Sequence, residues 1–146
     1  MFGRQKPQSG PPDVDDVCKM LDELDLRYMA DRDRSAILLG FEGDNGEYDI
    51  YILVNQEKAV VYIAIAHYIE VPASHPNLDQ ILRRLMELNW EFSLGKLEWD
   101  PNDGEVRLSH TFTTEDGLGT QALGVVIGYL VAAADRHYPE LAQLAA

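Results

Sequence analysis

The side chains with chemistry to offer are few and far apart. Cys18 is the single cysteine and repeats with Val14, Val17 and Leu21 at helical spacing. A thiol becomes a nucleophile in an electropositive, partly exposed setting, so this one is expected to be buried and inert. His67, His75, His110 and His137 form no H-x-x-x-H or Cys/His pattern, and no zinc ligand set follows from them. His67 shares an alternating run with Ile63, Ile65 and Ile69, which predicts a core or interface histidine. Ser109-His110 and Ser74-His75 are neighbours only along the chain, whereas a catalytic triad is defined by geometry. Gly117 and Gly119 lack a following Gly-Lys-Ser/Thr and stand beside Glu115 and Asp116, which would repel a phosphate. The expectation is a protein that is not an enzyme, with no catalytic residue and no cofactor.

Hard oxygen donors are denser. Asp100, Asn102, Asp103 and Glu105 fall in one turn, and Glu42, Asp44, Asn45 and Glu47 in another, which are the donors that calcium takes. Neither turn completes the twelve-residue loop with its terminal bidentate glutamate, and turns rich in Asp, Asn and Gly also form for conformational reasons. An acidic calcium-binding regulatory protein is therefore the alternative function, with Asp100, Asn102, Asp103 and Glu105 as its candidate ligands.

The elements that must position these residues can be read from hydrophobic period. A chain of 146 residues that is 46% hydrophobic can bury one core without disulfides. Residues 1–12, with three prolines and two glycines, predict a flexible tail, and residues 13–146 a single domain. A helical period spans residues 13–29, with Asp13 placed to cap it. The period then shortens to two, predicting strands over 35–41, 47–55 and 59–71, the first pair joined by a turn containing Asn45-Gly46. A second helix is expected from Ser74-His75-Pro76 to residue 89, a hairpin over 93–99 and 105–113, and a last helix over 120–137 closed by Pro139. The order α-β-β-β-α-β-β-α predicts an α+β fold, a mostly antiparallel sheet with helices packed on one face. Gly124, Gly128 and Ala132 recur every four residues on the last helix, a stripe that serves either close packing on the sheet or a helix contact between two copies.

Charge narrows the partners. With 25 Asp and Glu against 12 Lys and Arg, the net charge is −13, which argues against nucleic acid and anionic membranes, since both are bound through clustered cations. The apolar run over residues 122–134 falls short of the roughly 20 residues that cross a bilayer. No cationic segment followed by a long apolar one opens the chain, and the expected address is the cytoplasm.

The element order, with the stretch Leu88-Asn89-Trp90-Glu91-Phe92-Ser93-Leu94-Gly95-Lys96-Leu97-Glu98-Trp99-Asp100 and the continuation Gly104-Glu105-Val106-Arg107-Leu108, resembles the bacterial YbjN-domain family. That family is similar in fold to the type III secretion chaperones, small acidic dimers that bind other polypeptides. The resemblance implies a non-enzymatic protein-binding module, a chaperone-like adaptor or a sensory or stress regulator, and carries no catalytic residue onto this sequence.

Where a partner would bind follows from the third strand, in which both alternating sets are apolar. Ala59, Val61, Ile63, Ile65, Ile69 and Val71 form one; Val60, Tyr62, Ala64, Ala66 and Tyr68 form the other. Helices on one side of a sheet bury only one set. The second set, joined by Tyr51 and Leu53 of the preceding strand, is expected to form a homodimer or partner surface comprising Tyr51, Leu53, Val60, Tyr62, Ala64 and Tyr68.

Overall fold

The computed structural model describes residues 10–146. Helix α1 (Val14–Glu23) starts at a reciprocal cap, in which the Asp13 carboxylate accepts from the Asp16 amide at 2.8 Å and the Asp16 carboxylate from the Asp13 amide at 3.0 Å. Its apolar stripe sinks Val17 and Leu21 completely. Strands β1 (Met29–Asp31), β2 (Ala36–Glu42), β3 (Glu47–Asn55) and β4 (Val60–Glu70) follow, then helix α2 (Leu78–Glu91), strands β5 (Lys96–Trp99) and β6 (Glu105–Thr113), and helix α3 (Thr120–Ala145). The strands make one antiparallel sheet in the order β1-β2-β3-β4-β6-β5. Ile37, Leu39, Ile50, Ile52, Ile63, Ile65, Val106 and Leu108 meet Leu21, Ile81, Leu88, Leu123 and Leu130 of the helices in a single core. The α+β architecture read from the sequence is thus the one observed.

Several particulars differ from that reading, and α1 ends at Glu23 where a helix to residue 29 is expected. Strand β1 is additional, because Met-Ala-Asp is too short to alternate and exists by pairing with residues 36–38 of β2. Helix α3 passes through Pro139 instead of ending there, anchored beyond it by fully buried Leu141 and a two-pronged Arg84–Glu140 ion pair at 2.7 and 3.1 Å. Residues 1–9 of the expected tail lie outside the described residues, but the last part of it is packed: Pro12 is buried and the Pro11 carbonyl accepts from the Gln56 side chain at 3.1 Å. Of the two glycines in the small-residue stripe only Gly124 is closely approached, by the Leu24 side chain at the end of α1, so that contact joins two helices of the same chain.

A further difference lies in β4. Ile65 pairs with Leu108 and Ile69 with Val106, so the strand carries two more residues than its partner over that interval. His67 absorbs the surplus in a left-handed conformation, φ 50°. The bulge interrupts the alternation over residues 66–68 and leaves Ile69 and Val71 on the core side with Ile63 and Ile65. Tyr68, expected on the outer face with Tyr62 and Ala64, turns into the core and donates its hydroxyl to the Ala134 carbonyl at 2.6 Å. His67, expected on the core or interface side, is pushed out with its ring largely exposed.

Candidate protein-binding face

The side of the sheet away from the helices has no layer of described residues over it. Cross-strand pairing aligns Met29, Leu38, Tyr51, Ala64, Ser109 and Lys96 in one row across all six strands. Ala36, Leu53, Tyr62 and Thr111 form the next row. In and beside these two rows the β1–β4 half of the face is apolar: Met29 is 73% exposed, Leu53 45% and Tyr51 40%, with Leu38, Val60 and Tyr62 half-buried among them. Ala64 is too short to reach past its neighbours and is itself buried. Tyr51, Leu53, Val60, Tyr62 and Ala64 are therefore brought together as the alternation predicts, and Tyr68 is not. Met29 and Leu38 escaped the sequence reading, Met29 because its strand was not foreseen, Leu38 although it is the outward residue between Ile37 and Leu39.

The other half of the face is polar and internally paired. Glu98 accepts from the hydroxyls of Tyr62, at 3.1 Å, and Ser109, and faces Lys96 at 3.7 Å. Arg107 contacts the Tyr62 hydroxyl at 3.5 Å and pairs with buried Glu105, whose second oxygen accepts the His67 amide at 2.8 Å. Burial pushes the Glu105 carboxyl up, but the His67 amide and the Arg107 guanidinium outweigh it and hold it below the ordinary carboxylate range.

Much of the candidate calcium set is engaged within the fold. Glu105 is spent on Arg107 and His67, while Asp100 accepts from the Asn102 amide at 2.8 Å and Asp103 from the Glu105 amide at 2.9 Å, the hydrogen bonds of a turn closing on itself. In the other turn, Asp44 and Asn45 present their amides to Asp135 of α3, at 3.0 and 2.8 Å. Among the described residues no three His, Cys, Asp or Glu side chains converge as a metal site would require.

The remaining reactive groups are dispersed. Cys18 is buried and burial raises its thiol pKa, away from the thiolate. Desolvation lowers the pKa of His110 and of His137, favouring neutral rings. His75 ties the ends of two helices, accepting the Asn77 amide on Nδ1 and bonding the Ala145 carbonyl through Nε2, both at 3.0 Å.

A second exposed apolar pair, Met86 (70%) and Trp90 (91%), lies one turn apart on α2. Nearby, between α2 and α3, a shallow cavity of about 220 Å³ is lined by Phe92, Tyr129, Arg136 and His137 among others.

An antiparallel sheet carrying its helices on one face is the fold of the type III secretion chaperones and their relatives. Three solved structures share it: YbjN from E. coli, described as "a putative transcription regulator" (14% identity, TM-score 0.65, covering 88% of this chain and 90% of that one); the ExsC-ExsE complex (14%, 0.60, 88% and 95%); and the HopA1-SchA chaperone-effector complex (12%, 0.57, 84% and 88%). Residues 13–143 match the model of the YbjN family, "Putative bacterial sensory transduction regulator". The chain belongs to that family. No curated protein matches it.

Proposed function

We propose that this chain is a non-enzymatic protein-binding module, a chaperone-like adaptor or regulator, and that the apolar half of its open sheet face is the binding surface. The observation that carries the reading is the exposure of Met29, Tyr51 and Leu53 around half-buried Leu38 on a sheet face without a covering layer of described residues. Large apolar groups contiguous on a surface are what partner surfaces present. The chaperone–effector complex among the structural neighbours is in keeping with a polypeptide as partner. A reducing cytoplasm suits the free thiol of Cys18.

A second reading is a homodimer through the same face, favoured by the short side chains of Ala64 and Ser109 at its centre, which would allow two sheets to approach closely. Tyr51→Glu combined with Leu53→Asp tests the surface itself. Both sites are partly solvated, so circular dichroism and Tm should stay near wild type. Affinity capture from a bacterial lysate should then lose the polypeptides that the wild-type chain retains. Equal capture by both proteins would overturn the assignment.

A further inference from the structure

The bulge in β4 does more than redirect Tyr68. Pairing between β3 and β4 runs from Asn55 up to Ile50 and stops there. Beyond it the strands part, and a cleft of about 170 Å³ opens between residues 47–51 of β3 and 65–68 of β4, reaching Tyr138 of α3 in the helix layer. Three tyrosines build its inner wall: the rings of Tyr48, Tyr68 and Tyr138 stand 5.8 to 6.3 Å apart, centre to centre. Tyr51, from the apolar patch, stands at its rim, and so do Glu47 and Asp49. Among the described residues no ion pair or hydrogen bond engages either carboxylate, in contrast to Glu70, Glu98 and Glu105 nearby. Gly40 lies directly opposite Asp49 and leaves a second dent there, lined also by Glu42 and Glu47.

We propose that the open face holds an extended segment of a partner polypeptide whose apolar side chains lie on Met29, Tyr51 and Leu53 and whose lysine or arginine enters the cleft beside Glu47 and Asp49. This rests on the protein-binding reading and names the chemistry of the partner. Charge complementarity selects the occupant. Carboxylates on β2 and β3 without cations of their own want a cationic group, and aromatic faces stabilise a cation that leaves bulk water. A long aliphatic stem with a charged tip is the side chain that fills a narrow aromatic slot and still meets carboxylates at its mouth. A second copy docking by the same face would bring Lys96 and Arg107, both already paired with Glu98 and Glu105, and so supplies no free cation for the cleft.

The test is selection from a display library of random ten-residue peptides on the full-length wild-type protein, followed by titration of the selected peptides. The expected yield is peptides combining alternating apolar residues with one Lys or Arg. They should bind about three- to tenfold more weakly to Glu47→Gln/Asp49→Asn, as loss of two partly solvated ion pairs implies, and unchanged to Trp90→Ala. Their affinity should fall as salt rises. Apolar peptides without a cation, still competed away by Tyr51→Glu/Leu53→Asp, would overturn this inference and leave the binding surface standing. Peptides indifferent to both double variants would overturn the inference and the surface together. A wild-type chain that is dimeric in sedimentation equilibrium, made monomeric by Tyr62→Asp, would give the face to a second copy and overturn the inference.

Discussion

A single carboxylate, that of Asp135, receives the amides of Asp44 and Asn45 and the hydroxyl of Tyr48, the last at 2.8 Å, and so fastens the β2–β3 turn to α3. The turn must come so close that a Cβ at Gly43 would collide with the carboxylate. The Asn45 amide lowers the Asp135 pKa most, burial opposes it, and the Tyr48 hydroxyl and Asp44 amide add to the lowering. A carboxyl whose folded pKa lies below its unfolded one stabilises above the ordinary carboxylate range and loses that contribution as pH falls through the folded value. Melting temperatures of wild type and Asp135→Asn should therefore lie furthest apart near neutrality and converge in acid. Curves that stay parallel with pH would show that the charge is not what holds the turn. Glu105→Gln makes a related case: it leaves the Arg107 guanidinium without its carboxylate partner and should cost about 2 kcal/mol in urea unfolding.

Among the elements, α3 shows how a rule of helix termination is set aside. Pro139 has no N–H, so the carbonyl four residues earlier, that of Asp135, loses its helical partner. It is taken instead by the Asn45 side-chain amide at 2.8 Å, and the adjacent Ala134 carbonyl by the Tyr68 hydroxyl. Asn45→Ala should then destabilise the wild type by about 1 kcal/mol but much less in a Pro139→Ala background, where the restored amide can satisfy Asp135. Additive effects in that double-mutant cycle would refute the exchange of partners. The sequence reading stopped the helix at Pro139 because the groups that make up for the proline come from the β2–β3 turn and β4, far along the chain. Tyr68 escaped for a similar reason. Alternation over residues 59–71 is real and in the same phase on both sides of the bulge, but the break at residues 66–68 is imposed by pairing with Leu108 and Val106 and by the Glu105 carboxylate under the His67 amide. Periods longer than a few residues were legible, as were the turns and the outward set Tyr51, Leu53 and Tyr62. Strand β1 and the cleft, which depend on neighbours distant in sequence, were not.

At the scale of the whole molecule, two tryptophans report separately on two environments. Trp90 projects into solvent from α2, whereas Trp99 is half-buried and donates to the Val71 carbonyl at 2.8 Å. Iodide should quench the fluorescence in two populations, one freely accessible, with Trp90→Phe removing that component alone. A single uniform population would contradict the placement of one of them.

The strand order carries a consequence for how the molecule comes into being. Strands β2, β3 and β4 follow one another through tight turns and can zip locally, but β6 reaches its place beside β4 only after the whole α2–β5 segment has been looped out. Closing that loop before any of its contacts form is the slow entropic step. The amide of His67, at the apex of the bulge, is held by a carboxylate of β6, so the cleft does not exist in the early meander. In stopped-flow refolding, Val106→Ala should slow the main phase less than Ile52→Val does in proportion to its loss of stability, and recognition at the cleft becomes a property that only a chain past its last folding barrier possesses.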